Sequence, residues 1–230
     1  MNTNSAHPTS TPATQAGAAV YTPMTLALYD LVVLRLSNPL VWRCPTRRIL
    51  DLYDAHASGN HLDVGVGTGW YLDRCRFPVP TPRVALMDLN ASSLAAAANR
   101  IARYRPETHQ ADVLKPEMPS VAPFASISMT YLLHCLPGDM ASKGAVFDHL
   151  APLLQPGGIV FGATLLSRGV ERTKSAQALM RIYNRRSIFS NEADSLDELR
   201  VSLEQRFREV SLMTVGCAAL FMGRGQRGGG

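Results

Sequence analysis

Cysteine is scarce in this sequence, and what there is cannot staple a fold. Cys44, Cys75, Cys135 and Cys217 stand far apart, without the CxxC spacing of a redox or zinc motif and without the density of a small disulfide framework. Reduced thiols in a cytoplasmic protein are expected. Long hydrophobic runs are missing as well. The apolar stretch around Leu26–Leu36 is interrupted by Tyr29, Asp30 and Arg35 and is too short to cross a bilayer, so no membrane association is expected. The opening MNTNSAHPTSTPATQAGAAV lacks a charged segment followed by an apolar one, as a secretory leader would have. No internal repeat of useful length is visible. No GK[ST] follows a glycine bend, which excludes a Walker loop. Histidines and acids show neither a two-histidine spacing nor an acid cluster suited to zinc or magnesium, and no metal is expected.

What is present is ordinary globular composition: 230 residues, 46% hydrophobic and 18% charged, enough for one large domain with a buried core. A net charge of +5 leaves the partner unspecified. Residues 1–20 read as a loose tail, 21–57 as a helical cap interrupted at Asn38-Pro39, and 223–230 as a second tail. Between them, strand and helix signals alternate. His61–Val66, Arg83–Leu89, His109–Val113, Ser126–Leu132 and Gly158–Leu166 read as strands, and Val210–Phe221 as one or two more. Trp70–Arg76, Asn90–Tyr104, Met140–Leu154 and the stripe Leu196, Leu199, Leu203, Phe207 read as helices. Such alternation predicts an α/β fold with a mostly parallel, doubly wound sheet.

The segment HLDVGVGTGW (61–70) carries three alternating glycines, Gly65, Gly67 and Gly69. Glycine permits positive φ and close approach at an entropic cost, so three within five residues mark a bend made for a ligand or for tight packing. Position 70 is Trp, which departs from the GxGxxG of nicotinamide dinucleotide enzymes. An acid, Asp63, lies two residues before the bend, and a second, Asp88, ends the next strand nineteen residues after Gly69. Asp88 is placed to accept hydrogen bonds from ribose hydroxyls and Asp63 to hold an amino-acid ammonium. A nucleoside joined to an amino acid is S-adenosyl-L-methionine.

With Ala111-Asp112-Val113, FASISMTYLLHCLPG and QPGGIVFGATLL following in order, the chain resembles a class I S-adenosylmethionine-dependent methyltransferase of the small-molecule type with an N-terminal helical cap. The resemblance spans roughly Tyr21–Phe221. It implies a seven-stranded Rossmann-like sheet within one domain over 21–222, with 167–194 inserted as a lid. It also implies a cofactor site of Asp63, Gly65, Gly67, Gly69, Asp88, Leu89, Asp112, Val113 and Met129, with Asp112 accepting from the adenine amino group. Ala125 stands where the family commonly has an acid.

Methyl transfer from a sulfonium is an in-line displacement that alignment and exclusion of water can largely drive. His134, read as following the Ser126–Leu132 strand, is the candidate base, with Tyr131 as wall or donor; a histidine that only packs is the other reading. Strand alternation assigns Cys135 to the core. Six basic residues between Arg168 and Arg186 against Glu171 suggest an anionic acceptor met by Arg181 and Arg185, or else a solvated basic face. Tyr21, Tyr29 and Trp42 are cap aromatics that either close over the acceptor or pack as core. The expected activity is metal-independent methyl transfer to a small molecule, such as a biosynthetic intermediate. Nucleic acid is not expected as a partner, since neither an aromatic-interleaved basic extension nor an NPPY-type signature is present. A nucleic-acid methyltransferase and a non-methylating cofactor binder are the alternatives. Oligomeric state is left open.

Overall fold

The computed structural model describes residues 37–227; the tail, the first part of the cap and the last three residues lie outside them. Seven strands form one sheet in the order β3-β2-β1-β4-β5-β7-β6. They are β1 (Asn60–Val64), β2 (Arg83–Asp88), β3 (Glu107–Gln110), β4 (Phe124–Thr130), β5 (Leu154–Leu165), β6 (Phe207–Val215) and β7 (Ala218–Gln226). The first five pair in parallel, and β7 inserts antiparallel between β5 and β6. The seven-stranded, mostly parallel sheet is therefore as expected. Central strands covered on both faces need apolar residues throughout, which is why β2 reads RVALMD with four consecutive buried positions.

Two apolar layers sandwich the sheet. One contains Tyr53, Leu86, Phe161 and Leu220; the other contains Leu62, Phe124, Phe147 and Phe221. Helix α1 (Thr46–His56) turns Ile49, Leu50 and Tyr53 inward at helical spacing. After α2 (Trp70–Arg74) comes α3 (Ala91–Arg100), capped by the Asn90 side chain, which accepts from the amides of Ser92 and Ser93.

Several boundaries differ from expectation. The helix read over Met140–Leu154 is two, α4 (Met140–Lys143) and α5 (Ala145–Leu150). They meet at Gly144, where an added Cβ would stand 2.4 Å from Ser202 Oγ, so another helix crosses too closely for a side chain. Within residues 167–194, α6 (Lys174–Arg185) starts at the Thr173 cap and buries Ala176 and Met180. The crossing helix is α7 (Leu196–Arg206), opened by Ser195 Oγ on the Glu198 amide. Phe207 is not its last apolar residue but the first of β6. The sheet also includes Gly223–Gln226, which the sequence pattern places in the tail: β7 pairs through Gln226 with Phe207. Its hairpin turns at Gly216 (φ 57°), where a Cβ would sit 2.2 Å from the Trp42 carbonyl.

Candidate functional site

Strand β1 lies between β2 and β4, so the chain direction of the crossovers reverses there and a crevice opens at the strands' carboxyl ends. Asp63 from β1, Asp88 from β2 and Thr130 and Tyr131 from the end of β4 line it, with the glycine bend as its floor. Gly65, Gly67 and Gly69 all have positive φ, 72°, 52° and 72°, and each lacks a side chain for its own reason. A Cβ at Gly65 would meet Leu132 at 3.0 Å and one at Gly69 would meet Ala97 of α3 at 3.0 Å, whereas one at Gly67 would find nothing within 4 Å. Gly67 thus faces the open crevice, and Gly69 a helix.

This difference predicts opposite phenotypes. Gly67→Ala should lower stability only by the left-handed backbone penalty, about 1–2 kcal/mol, while markedly weakening ligand binding. Gly69→Ala adds a contact with helix backbone and should have the lower melting temperature of the two. Calorimetric melting and ligand titration on both proteins check the ranking.

Asp63 is buried; the Tyr53 hydroxyl donates to its Oδ1 at 2.9 Å, and Ser128 donates to the same oxygen. Asp88 accepts the Asn90 amide at 2.8 Å. Burial, the largest cause in both, pushes each carboxyl up to about 6; donors to each carboxylate work against it, and the nearby Asp88 charge adds to the rise at Asp63. A ligand that presents an ammonium or hydroxyls selects the ionised forms, so binding lowers these values and releases protons. Affinity should therefore be level above about pH 7 and fall as pH drops through 6, by at least about tenfold at pH 5, which titration of S-adenosylhomocysteine across pH 5–8 would measure.

Leu89, Ala111, Asp112 and Val113 also line the crevice. Strand β3 ends at Gln110, earlier than expected, which puts Asp112 in a loop where its Oδ1 accepts the Leu114 amide at 3.1 Å. Met129 lies elsewhere. Along β4, alternate residues face opposite ways: Ser126 and Ser128 point toward His61 and Asp63, so Ile127 and Met129 fall in the other apolar layer.

The turn after β4 redistributes its side chains. The strand stops at Thr130, Tyr131 takes φ 60°, and Leu133–Cys135 form a 3-10 turn. Tyr131 and Cys135 therefore line the crevice, whereas His134 does not. The His134 ring is 3% exposed, with Nδ1 3.3 Å from the Leu165 amide and the ring edge-on to Phe189 at 4.5 Å. Burial, with Lys143 nearby, pushes its pKa down to about 3. The alternation that assigned Cys135 to the core does not apply, because the residue is in a turn and not in a strand.

Arg185 lines a second hollow with Pro137, Phe189 and Glu192, and Cys135 borders both hollows. Arg181 is exposed and outside that lining. Tyr21 and Tyr29 lie outside the described residues. Trp42 packs as core, 2% exposed and 6.1 Å from Phe189 between ring centroids. Tyr53 and Ser128, which hold Asp63, went unread in the sequence: nothing local in a helix 10 residues upstream or a strand 65 residues downstream announces that contact. Among the described residues, no helix is long and apolar enough to cross a membrane, and no three His, Cys, Asp or Glu side chains converge as a metal site would need.

Comparison with known proteins agrees with this geometry. Residues 62–160 match the family described as "Methyltransferase domain". The chain is 41% identical over 205 residues to demethylluteothin O-methyltransferase of Streptomyces thioluteus, covering 89% of each. It is 39% identical over 211 residues to the physcion biosynthesis cluster O-methyltransferase of Aspergillus chevalieri, covering 90% of this chain and 94% of that one. The fold matches the N-methyltransferase NodS from Bradyrhizobium japonicum in complex with S-adenosyl-L-homocysteine at a TM-score of 0.59 and 14% identity, over 88% of this chain and 97% of that one. With its two crevice acids and its glycine bend open at Gly67, the chain belongs to the class I S-adenosylmethionine-dependent methyltransferases that act on small molecules.

Proposed function

We propose that the protein methylates an acidic hydroxyl, a phenol or enol, on a small biosynthetic intermediate. The observation that carries this reading is the position of His134: it is turned away from the crevice, so among the described residues the wall next to Tyr131 and Cys135 holds no imidazole. A hydroxyl that ionises near neutral pH needs no strong base, whereas an aliphatic alcohol does. Arg185 at the neighbouring hollow favours such an oxyanion by its charge. The O-methyltransferase names of the relatives above support oxygen as the acceptor atom.

The residues present fit the cofactor. Asp63 would hold its ammonium, Asp88 its ribose, the 111–113 loop its adenine, and Gly67 leaves room against bare backbone. When bound, S-adenosyl-L-methionine supplies an electrophilic methyl group on a sulfonium. The protein's own part is alignment and exclusion of water: Tyr131, held by its amide on the Ala163 carbonyl at 2.7 Å, and Leu132 wall the crevice in which the acceptor would meet the cofactor. His134 serves as a post, its carbonyl accepting the Ser190 amide at 2.8 Å.

The test is S-adenosylhomocysteine release over a panel of phenols, enols, aliphatic alcohols and amines. Turnover confined to amines or to aliphatic alcohols would sink the proposal. His134→Phe should keep kcat within about threefold, against the hundredfold or greater loss expected of a general base.

A further inference from the structure

A hydrogen-bonded chain of side chains runs through the interior behind Asp63. The Ser58 amide donates to Ser126 Oγ at 2.9 Å. Ser126 Oγ lies 2.7 Å from His61 Nδ1, and His61 Nε2 lies 2.9 Å from Ser128 Oγ. Ser128 in turn donates to Asp63 Oδ1. His61, Ser126 and Ser128 are fully buried, and His61 is not on the crevice wall.

Proton counting gives the chain a direction. A serine hydroxyl has one proton. While Asp63 is ionised, Ser128 commits its proton to the carboxylate, so Ser128 Oγ must accept from His61. His61 then carries its proton on Nε2, and Nδ1 accepts from Ser126. If Asp63 takes up a proton, the bonds from Asp63 to Ser126 reverse: Asp63 donates to Ser128, Ser128 to Nε2 and Nδ1–H to Ser126, whose own proton turns to Ser58 Oγ, 2.9 Å away, while the Ser58 amide goes on donating to Ser126. Burial holds His61 neutral, with its pKa pushed down to about 3, so the ring changes tautomer and not charge. The groups facing Asp63 from other elements are Asp88, Tyr53 and Cys75; the Tyr53 hydroxyl also lies within hydrogen-bond reach of Ser128, but its proton is committed to Asp63 Oδ1. Both donors to Asp63 reach Oδ1, which leaves Oδ2 for a ligand.

We propose that His61 is a positioning residue for cofactor recognition, donating from Nε2 to Ser128 so that Asp63 is held ionised and oriented to receive an ammonium group. This rests on Asp63 being the holder of the cofactor's amino-acid end.

Titration calorimetry with two ligands tests it: S-adenosylhomocysteine, which has the ammonium, and methylthioadenosine, which lacks the amino acid. His61→Leu should raise the Kd of the first about tenfold and leave the second within about twofold. His61→Gln, whose amide can donate in the place of Nε2, should recover most of the loss; no recovery would overturn the assignment of the donor. Asp63→Asn is the control and should show the same ligand-selective loss. If it weakens both ligands alike, or neither, the reading of Asp63 fails. If it is selective but His61→Leu is not, the relay is overturned while Asp63 stands. Should His61→Leu not fold, Ser128→Ala carries the same comparison, with a selective loss supporting the relay and a uniform or absent one overturning it.

Discussion

Replacing Asp88 by Ala is expected to weaken S-adenosylhomocysteine binding about a hundredfold while leaving the protein folded. Two hydrogen bonds from ribose hydroxyls to a carboxylate are each worth roughly 1.5–3 kcal/mol, and about 3 kcal/mol in total is two decades of affinity. Folding should be little affected, because burial pushes the Asp88 carboxyl up to about 6: the charge is costly in the free protein. What the fold loses is the Asn90 amide bond, 2.8 Å long, and the lesser amide contacts from Val66, Gly67 and Leu89. Asp88→Asn keeps an acceptor oxygen and should fall between wild type and Ala. Calorimetric affinities within about threefold of wild type for the Ala protein would contradict the assignment of the ribose site.

The largest effect on stability is expected at Lys143, far from any motif. Its Nζ donates to both oxygens of Asp194, at 2.8 and 2.6 Å, and to the Ser190 carbonyl at 2.6 Å; both side chains are 0% exposed. Burial is the larger influence on each partner, pulling Lys143 down and pushing Asp194 up to about 6, and each partner's charge opposes it in the other. Such a pair adds little over an apolar replacement, but removing one member strands a buried charge at a cost of about 3–5 kcal/mol. Lys143→Ala should therefore lower the melting temperature by roughly 6–20 °C for a chain of this size. The double variant Lys143→Met, Asp194→Leu should recover most of that. Because the Asp194 carbonyl also accepts the Ser167 and Arg168 amides at 3.1 Å, the single variant should loosen the segment bordering the Arg185 hollow, seen as faster amide exchange over 187–195. A melting point within about 2 °C of wild type would remove the argument.

Much of the fold was legible because it is written in local patterns. Strands buried on both faces must be apolar runs, so β1, β2 and β4 stood out, and Asn90 after Asp88 marked a helix start that its cap bonds occupy. The bend at Gly65–Gly69 was legible for the same reason: positive φ at three positions leaves a residue signature. Boundaries set by a crossing element were not. Gly144 breaks a helix because Ser202 passes beside it, and β7 runs on to Gln226 because β6 is there to pair with it.

By itself, the sequence determined the sheet class, the glycine floor, the two acids at strand ends and the kind of cofactor they suit, since each depends on residue type and spacing within one βα unit. Only the tertiary structure decided which side chains face that floor. Tyr131 in the left-handed region and a 3-10 turn after it exchange the places of His134 and Cys135, and a serine from β4 with a tyrosine from α1 comes to hold Asp63. Those contacts join elements that are distant along the chain, and a side chain's direction at a turn is set by what packs around it, not by its neighbours in sequence.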